Sequence, residues 1–452
     1  MNSSSNPSTT TQTPAPVSFW EAFRFWLKLG FISFGGPAGQ IAIMHQELVE
    51  RRRWISETRF LHALNYCMVL PGPEAQQLAT YIGWLMHRTW GGIVAGALFV
   101  LPSLLILIFL SWMYIAYGDV SWVAGLFYGI KPAVTAIVVQ AAHRIGGRAL
   151  KNGLMWGIAV AAFVAIFAFN IPFPYIVLAA AAVGYAGGRW APEYFKAGGG
   201  HGKSQKSYGP ALIDDHTPTP AHALFSWSRL GLVALSGAVL WIAPMFLLWS
   251  TLGWDHTYTQ MAWFFTKAAL LTFGGAYAVL PYVYQGAVSH YNWLNPTQMI
   301  DGLALGETTP GPLIMVVAFV GFVGGYVKAE LGTDLLFASG AVAATIVTWF
   351  TFLPSFIFIL AGAPFIETTH NDLKFTAPLT AITAAVVGVI VNLAVFFGYH
   401  VIFPQGLNNK IEWLSLVIAV AAGVALFRYK INVMKVIAAC ALAGLALKMS
   451  GF

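Results

Sequence analysis

The stretch GGIVAGALFVLPSLLILIFLSWMYIAYG, residues 91 to 118, contains no charged side chain. It exceeds the roughly 20 apolar residues that a bilayer-spanning helix needs. Across the whole chain of 452 residues, 58% are hydrophobic and 9% charged, against about a quarter charged in an average soluble protein. The chain is therefore expected to be an all-α polytopic membrane protein, with the lipid bilayer as its first partner. A formal charge of +7 raises nucleic acid as a partner. The basic residues, however, sit in short clusters beside apolar segments, as the positive-inside bias predicts, and no nucleic-acid partner is expected.

An internal repeat sets the architecture. Lys28 pairs with Lys267, Gly35 with Gly274, Trp54 with Trp293, and Pro71-Gly72-Pro73 with Pro310-Gly311-Pro312, all at an offset of 239 (310 − 71). Residues 25–73 and 264–312 share 13 identities in 49 gapless positions, where chance gives roughly three at typical residue frequencies. Further on, Leu101-Pro102-Ser103 resembles Leu353-Pro354-Ser355 after an insertion in the second half.

Charge gives the orientation. Arg51-Arg52-Arg53 precede Trp54, whereas His290, Tyr291 and Asn292 precede Trp293; the first loop is expected inside and the second outside. Arg144, Arg148 and Lys151 mark a further inside loop, and the segment from Arg189 to Arg229, with Lys196, Lys203 and Lys206, marks another. Full spans are expected near 94–117, 120–142, 153–170, 173–188, 228–250, 334–361, 376–400, 411–427 and 431–449. Five lie between the repeats, and an odd number inverts the second copy. The domains read as a disordered N-terminal tail (1–17), a first repeat (18–188), a cytoplasmic polar linker (189–228), and a second repeat (229–450) preceded by one extra span. The tail lacks the basic and apolar regions of a signal peptide, and nothing suggests that it is cleaved. The N-terminus is expected in the cytoplasm and the chain in the bacterial inner membrane; a homodimer stays open.

Segments 19–50, 57–88, 262–290 and 297–328 are each broken near the middle by Gly-Gly or Pro-Gly-Pro, which suggests broken or re-entrant helical hairpins. Such backbone is tolerated at membrane depth only where it is buried in protein or lines a wet cavity. Paired broken helices in an inverted repeat point to a transporter's binding site. The candidate binding residues are Lys28, Ser33, Gly35, Gly36, Pro71, Gly72 and Pro73, with Lys267, Thr272, Gly274, Gly275, Pro310, Gly311 and Pro312. A helix restarting at each Gly-Gly would offer unpaired N–H groups and a positive dipole end to an anion. Simpler roles stand beside these. Lysines at helix ends snorkel, paired glycines let helices pack closely, and Pro-Gly-Pro kinks a helix. Arg24, one turn before Lys28, is a secondary basic candidate with Trp263 as its counterpart. Glu74 and Glu307, at inequivalent positions, are candidates for proton or cation coupling or for helix capping. Lys131-Pro132 and His143 read as interfacial.

Enzyme signals are absent: HQELVE (45–50) is not HExxH, no GxSxG occurs, and AGGGHGKS (197–204) falls one glycine short of a phosphate-binding loop. Cys67 and Cys440 lie far apart with no CxxC spacing, so no metal site, disulfide or cofactor is expected.

The two copies of Lys-x5-Phe-Gly-Gly and Pro-Gly-Pro, with RRRWISETRFLHALNYCMVLPGPEAQQLATYIGW in the first half, closely resemble the two-domain bacterial chromate ion transporters. The likeness spans about 18 to 450. It implies an inner-membrane exporter of chromate, with the family motifs on Phe34-Gly35-Gly36, Pro71-Gly72-Pro73, Phe273-Gly274-Gly275 and Pro310-Gly311-Pro312. The second half departs at Leu313, where the first has Glu74. A tetrahedral dianion needs several donors and positive charge, which helix N-termini, Lys28, Lys267, Ser33 and Thr272 could supply. Sulfate has nearly the same shape, so a sulfate-type carrier or an anion channel stays open.

Overall fold

The structure, a computed structural model, describes residues 14–34, 36–118, 120–195, 208–368, 376–404, 406 and 411–450. Gly35, the first 13 residues of the tail, and linker residues 196–207, with Lys196, Lys203, Lys206 and the glycine-rich run, lie outside the described residues.

The chain is an all-α polytopic membrane protein. Its first half comprises α1 (Phe19–Ile32), α2 (Gly36–His45) running into a π-helical turn (Gln46–Arg51), α3 (Glu57–Val69), α4 (Glu74–Tyr117), α5 (Ser121–Ala149), α6 (Gly153–Phe169) and α7 (Phe173–Trp190). After α8 (Trp227–Leu252) the order recurs. It runs α9 (Thr257–Leu270), α10 (Ala276–Tyr284) with a π turn (Gln285–His290), α11 (Pro296–Thr308), α12 (Val316–Lys328), α13 (Leu336–Thr368), α14 (Thr376–Ile402), α15 (Trp413–Phe427) and α16 (Val433–Met449). α4 bends sharply at His87 and Arg88, where φ is −133° and 58°. Its first arm thus corresponds to α12 and its second to α13.

The local chemistry also recurs at the offset of 239. Ser56 caps α3 and Asn295 caps α11, each accepting from the backbone N–H three residues on, as N-cap side chains do. Both π turns close onto the tryptophan, Trp54 N–H donating to Leu48 O at 2.8 Å and Trp293 N–H to Ala287 O at 2.7 Å.

α4, α5, α8, α13 and α14 are long and apolar enough to cross a membrane. Each of the nine expected spans coincides with a helix, but α6, α7, α15 and α16 have 17, 18, 15 and 17 residues. At 1.5 Å per residue they reach about 22–27 Å, less than the roughly 30 Å of hydrocarbon. α8 exposes Leu232, Leu235 and Leu247 and is suited to lipid contact. The halves interleave: α14 lies against α5, α6 and α7, while α15 and α16 lie against α5. The α5–α16 contact depends on glycine, since a Cβ on Gly129 would stand 1.9 Å from the Cys440 carbonyl oxygen.

A strap of the linker lies over the turn before α3. Leu212 N–H donates to Arg53 O, Ile213 N–H to Trp54 O, and Ser56 N–H to Ile213 O. Asp215 accepts from Ser56 and Thr58 hydroxyls, and His222 bonds Trp84 O.

Candidate functional site

A proline removes a helix donor and drives the preceding residue to extended backbone. Leu70 and its equivalent Thr309 accordingly have ψ of 148° and 149°, ending α3 and α11. Gly72 and Gly311 follow at φ of 127° and 103°, a region open mainly to glycine.

Each glycine then docks on the other half. Gly72 N–H donates to Thr272 O at 2.7 Å, and Gly311 N–H donates to Ser33 O at 2.8 Å. Ser33 and Thr272 are equivalent positions, so one bond is made twice in exchanged order. It gives a donor to the carbonyl just past the end of α1 and of α9, where the chain has left the helix. A Cβ on Gly72 would meet Ser355 Oγ at 2.4 Å, and one on Gly311 would meet Ser103 Cβ at 2.7 Å. These are the serines of the two Leu-Pro-Ser motifs. The Ser33 and Thr272 hydroxyls donate to Leu29 O and Ala268 O, at 2.6 and 2.7 Å. Their protons stay on their own helices.

The Phe-Gly-Gly breaks differ. Gly36, Gly274 and Gly275 have φ of 69°, 78° and 97°; a Cβ would meet nothing within 4 Å at Gly36 or Gly275, and only Thr383 at 3.8 Å beside Gly274. Close helix packing therefore does not explain these glycines, whereas left-handed backbone does. α10 starts at such a break with no side-chain cap, and α2 begins at Gly36. Both helices thus begin at glycines whose α-carbons face unfilled space at equivalent places, while the neighbouring Pro-Gly-Pro turns are tightly packed.

Polar side chains absent from the sequence reading surround the crossing. Gln40 Nε2 donates to Ser33 O at 3.3 Å and also to Gly311 O. Gln77 Nε2 donates to Pro71 O at 2.8 Å and Ser355 Oγ at 3.4 Å. Gln40 Oε1, Gln77 Oε1 and Ser103 Oγ are buried with no hydrogen-bond partner. Their counterparts at 279 and 316 are valines, so the repeat comparison gave the glutamines no signal.

Glu307 is buried and accepts from the Tyr277 hydroxyl, on the first turn of α10. Glu74 is half-buried at the start of α4. The lysines sit further off. Lys28 is exposed in a surface cavity of about 290 Å³ with Arg24, Arg52, Glu21 and Phe25. Lys267 is half-buried, its Nζ 5.6 Å above the Trp263 ring. Both side chains lean toward their helix starts, as helical Cβ directions favour.

Lys131, read from the sequence as interfacial, is ion-paired. Its Nζ lies 3.5 Å from Oδ2 of Asp301, which is 2% exposed and also accepts from Tyr114 at 2.8 Å. A second buried set, Arg59, Glu367 and Tyr81, joins α3, α13 and α4, with Arg59 Nη1 2.9 Å from Glu367 Oε2. Each set crosses between the halves, one from α11 to α4, the other from α13 to α3.

Among known proteins, the family described as "Chromate transporter" matches residues 20–185 and 259–445. The chain is 33% identical over 449 residues to the "Chromate transport protein" of Pseudomonas aeruginosa, covering 98% of this chain and 95% of that one. It is 29% identical to the "Chromate transport protein" of Cupriavidus metallidurans, covering 86% of each. The "Uncharacterized transporter YwrB" of Bacillus subtilis is 29% identical over 141 residues, 31% of this chain and 71% of that one. No solved structure matches. With both matched segments falling on the helices that carry the duplicated breaks, the chain belongs to the chromate transporter family.

Proposed function

We propose that the chain is a secondary transporter of the bacterial inner membrane that exports chromate from the cytoplasm, with its N-terminus on the cytoplasmic side. Its repeats, 18–188 and 229–450, insert in opposite orientations around one extra span, α8. The observation that carries this reading is the pair of helix starts at Gly36 and Gly275, glycines with unfilled space at the Cβ position, each beside a Pro-Gly-Pro turn docked on the other half. A helix N-terminus directs N–H groups and about half a positive charge at whatever fills the space before it. Two such ends suit a tetrahedral dianion, and the printed names of the relatives supply chromate as that dianion. Lys28, Lys267 and Arg24 flank the breaks and raise the local anion concentration. Glu307, next to the second Pro-Gly-Pro, and Glu74, next to the first, are the groups through which a proton would be exchanged.

Direction follows from charge. With the cytoplasm negative, outward movement of a dianion is favoured by roughly 2.3 kcal/mol per charge per 100 mV, about 4.6 kcal/mol in all. Inward accumulation would require coupled cations to overcome the same quantity. In vesicles oriented with the cytoplasmic face outward, chromate should enter the lumen. Collapsing the membrane potential with a potassium ionophore should slow that flux if net charge moves. Flux that ignores the potential and follows a pH gradient would assign electroneutral exchange instead. Chromate accumulation by intact cells making the protein would overturn export, and sulfate moving in preference to chromate would reassign the substrate.

A further inference from the structure

Residues 137, 141, 144 and 148 of α5 recur at intervals of four, three and four, which places them on one helix face. Ile137 and Ala141 are buried at 2% exposure each, whereas Arg144 and Arg148 are exposed. Within one turn that face leaves the packed core and carries two guanidinium groups into open space. α5 also packs against α11, the helix that carries Glu307 and ends at the second Pro-Gly-Pro. Arg148 is the cation that acts electrostatically on Glu74, and Arg144 is the one that acts on Glu307 and Tyr277.

Among the described residues neither arginine has an ion-pair partner; the acidic groups of the ion pairs are engaged with His45, Arg51, Arg52, Arg59, Lys131 and His256. Two like charges one turn apart repel. The end of a helix does favour a cation by about 0.3–1 kcal/mol, and an inside loop favours arginine. Neither reason requires both groups to share one face of α5.

The Leu-Pro-Ser motifs fix the equivalent positions in α14, at an offset of 252 (353 − 101). Arg144 corresponds to Phe396 and Arg148 to His400. Phe396 packs its ring on Tyr284 at 4.2 Å and on His400 at 3.9 Å. An aromatic stack stands where the first repeat has two exposed cations.

We propose that Arg144 and Arg148 form an anion-gathering pair at the cytoplasmic mouth, which takes the tetrahedral oxyanion from solution and passes it to the helix N-termini, and that Phe396 and His400 leave the opposite mouth without such a pair. This rests on the export reading above and adds a reason for it: loading is electrostatically assisted from one side only.

The test uses the full-length protein, parental and with R144Q/R148Q or R144K/R148K, in vesicles with the cytoplasmic face outward. Oppositely charged encounter is screened by salt over a Debye length of about 8–10 Å, so the parental KM for chromate should rise with ionic strength. R144Q/R148Q should raise KM about tenfold at low salt, hold the maximal rate within about twofold, and lose most of the salt dependence. R144K/R148K should restore the parental behaviour, which separates charge from folding. Chromate binding to the purified protein, followed by tryptophan quenching, gives a second readout. Equal KM, salt slope and affinity in parental and R144Q/R148Q protein would overturn the proposal. Parental protein that binds chromate through these arginines without moving it would instead overturn the export reading and leave the pair standing. No parental binding at all would overturn both.

Discussion

Two kinds of glycine do different work at the breaks. Gly36, Gly274 and Gly275 adopt left-handed backbone beside open space, whereas Gly72 and Gly311 combine positive φ with tight contact to Ser355 and Ser103. An added methyl is strained in both places but collides only in the second. Non-glycine residues held in such regions cost about 1–3 kcal/mol each. Gly72→Ala and Gly311→Ala should therefore lower the thermal midpoint and abolish transport. Gly275→Ala should keep its midpoint closer to the parental value while slowing transport, because its methyl projects into the proposed anion space. Equal midpoints for all three would remove the distinction. The lysines are tested by rate alone. The lysines flank the breaks and act through charge, so Lys28→Ala and Lys267→Ala should each slow chromate transport, most at low ionic strength, without changing the amount of protein in the membrane. Parental rates would make both lysines interfacial anchors, a role their lean toward the helix starts also suits.

At the scale of elements, what the sequence disclosed was backbone chemistry. Gly-Gly and Pro-Gly-Pro interrupt the helix through local backbone alone, whereas single prolines such as Pro102, Pro132 and Pro354 stay inside helices; all four breaks were therefore legible, and one gapless diagonal related them. What docks on each break was not legible, because the Gly72–Thr272 and Gly311–Ser33 bonds join backbone atoms 200 (272 − 72) and 278 (311 − 33) residues apart and leave no side-chain pattern. Lys131 and Asp301 illustrate the same limit. A lysine ahead of a proline reads as the edge of a membrane segment until the carboxylate of α11 is set 3.5 Å away. The strap across Trp54, Ile55 and Ser56 was legible only as a polar linker, yet it adds a titratable contact. Burial against Trp84, with Arg88 and Arg229 nearby, holds the His222 imidazole below its ordinary range. The docked strap keeps His222 neutral, while a released strap takes up a proton near the ordinary value of about 6.5. Docking is thus fully favoured above that value and weakens as pH falls through it. Limited proteolysis between residues 208 and 226 should be faster at pH 5.5 than at pH 7.5, and His222→Gln should flatten the difference. A parental strap equally protected at both pH values would show that His222 does not govern docking.

For the molecule as a whole, the decisive quantity is the parity of crossings between the two copies. The same order of helices recurs on either side of α8, and in the proposed topology α8 is the crossing that makes the number between the copies odd. The exchanged hydrogen bonds at the breaks need the two copies to meet face to face at a common depth. The proposed half-turn about an axis in the membrane plane achieves this, and under it the loop after one π turn would lie on the opposite side from the loop after the other. The charge contrast agrees, with Arg51-Arg52-Arg53 at the first loop and His290-Tyr291-Asn292 at the second. Arg51 and His290 are equivalent positions and both are exposed, while Cys67 and Cys440 are buried, so a new thiol at either place reports on its own loop with little background. A cysteine introduced at Arg51 should react with a membrane-impermeant maleimide in inside-out vesicles and not in intact cells or spheroplasts. One introduced at His290 should show the reverse. Labelling of both from a single side would place the repeats in parallel, and the export mechanism would then lose the two-sided access that an inverted pair provides. Labelling from opposite sides, with Arg51 facing outward, would keep the inverted repeat but reverse its insertion, turning the arginine-lined mouth of α5 toward the exterior and the proposed direction of transport with it.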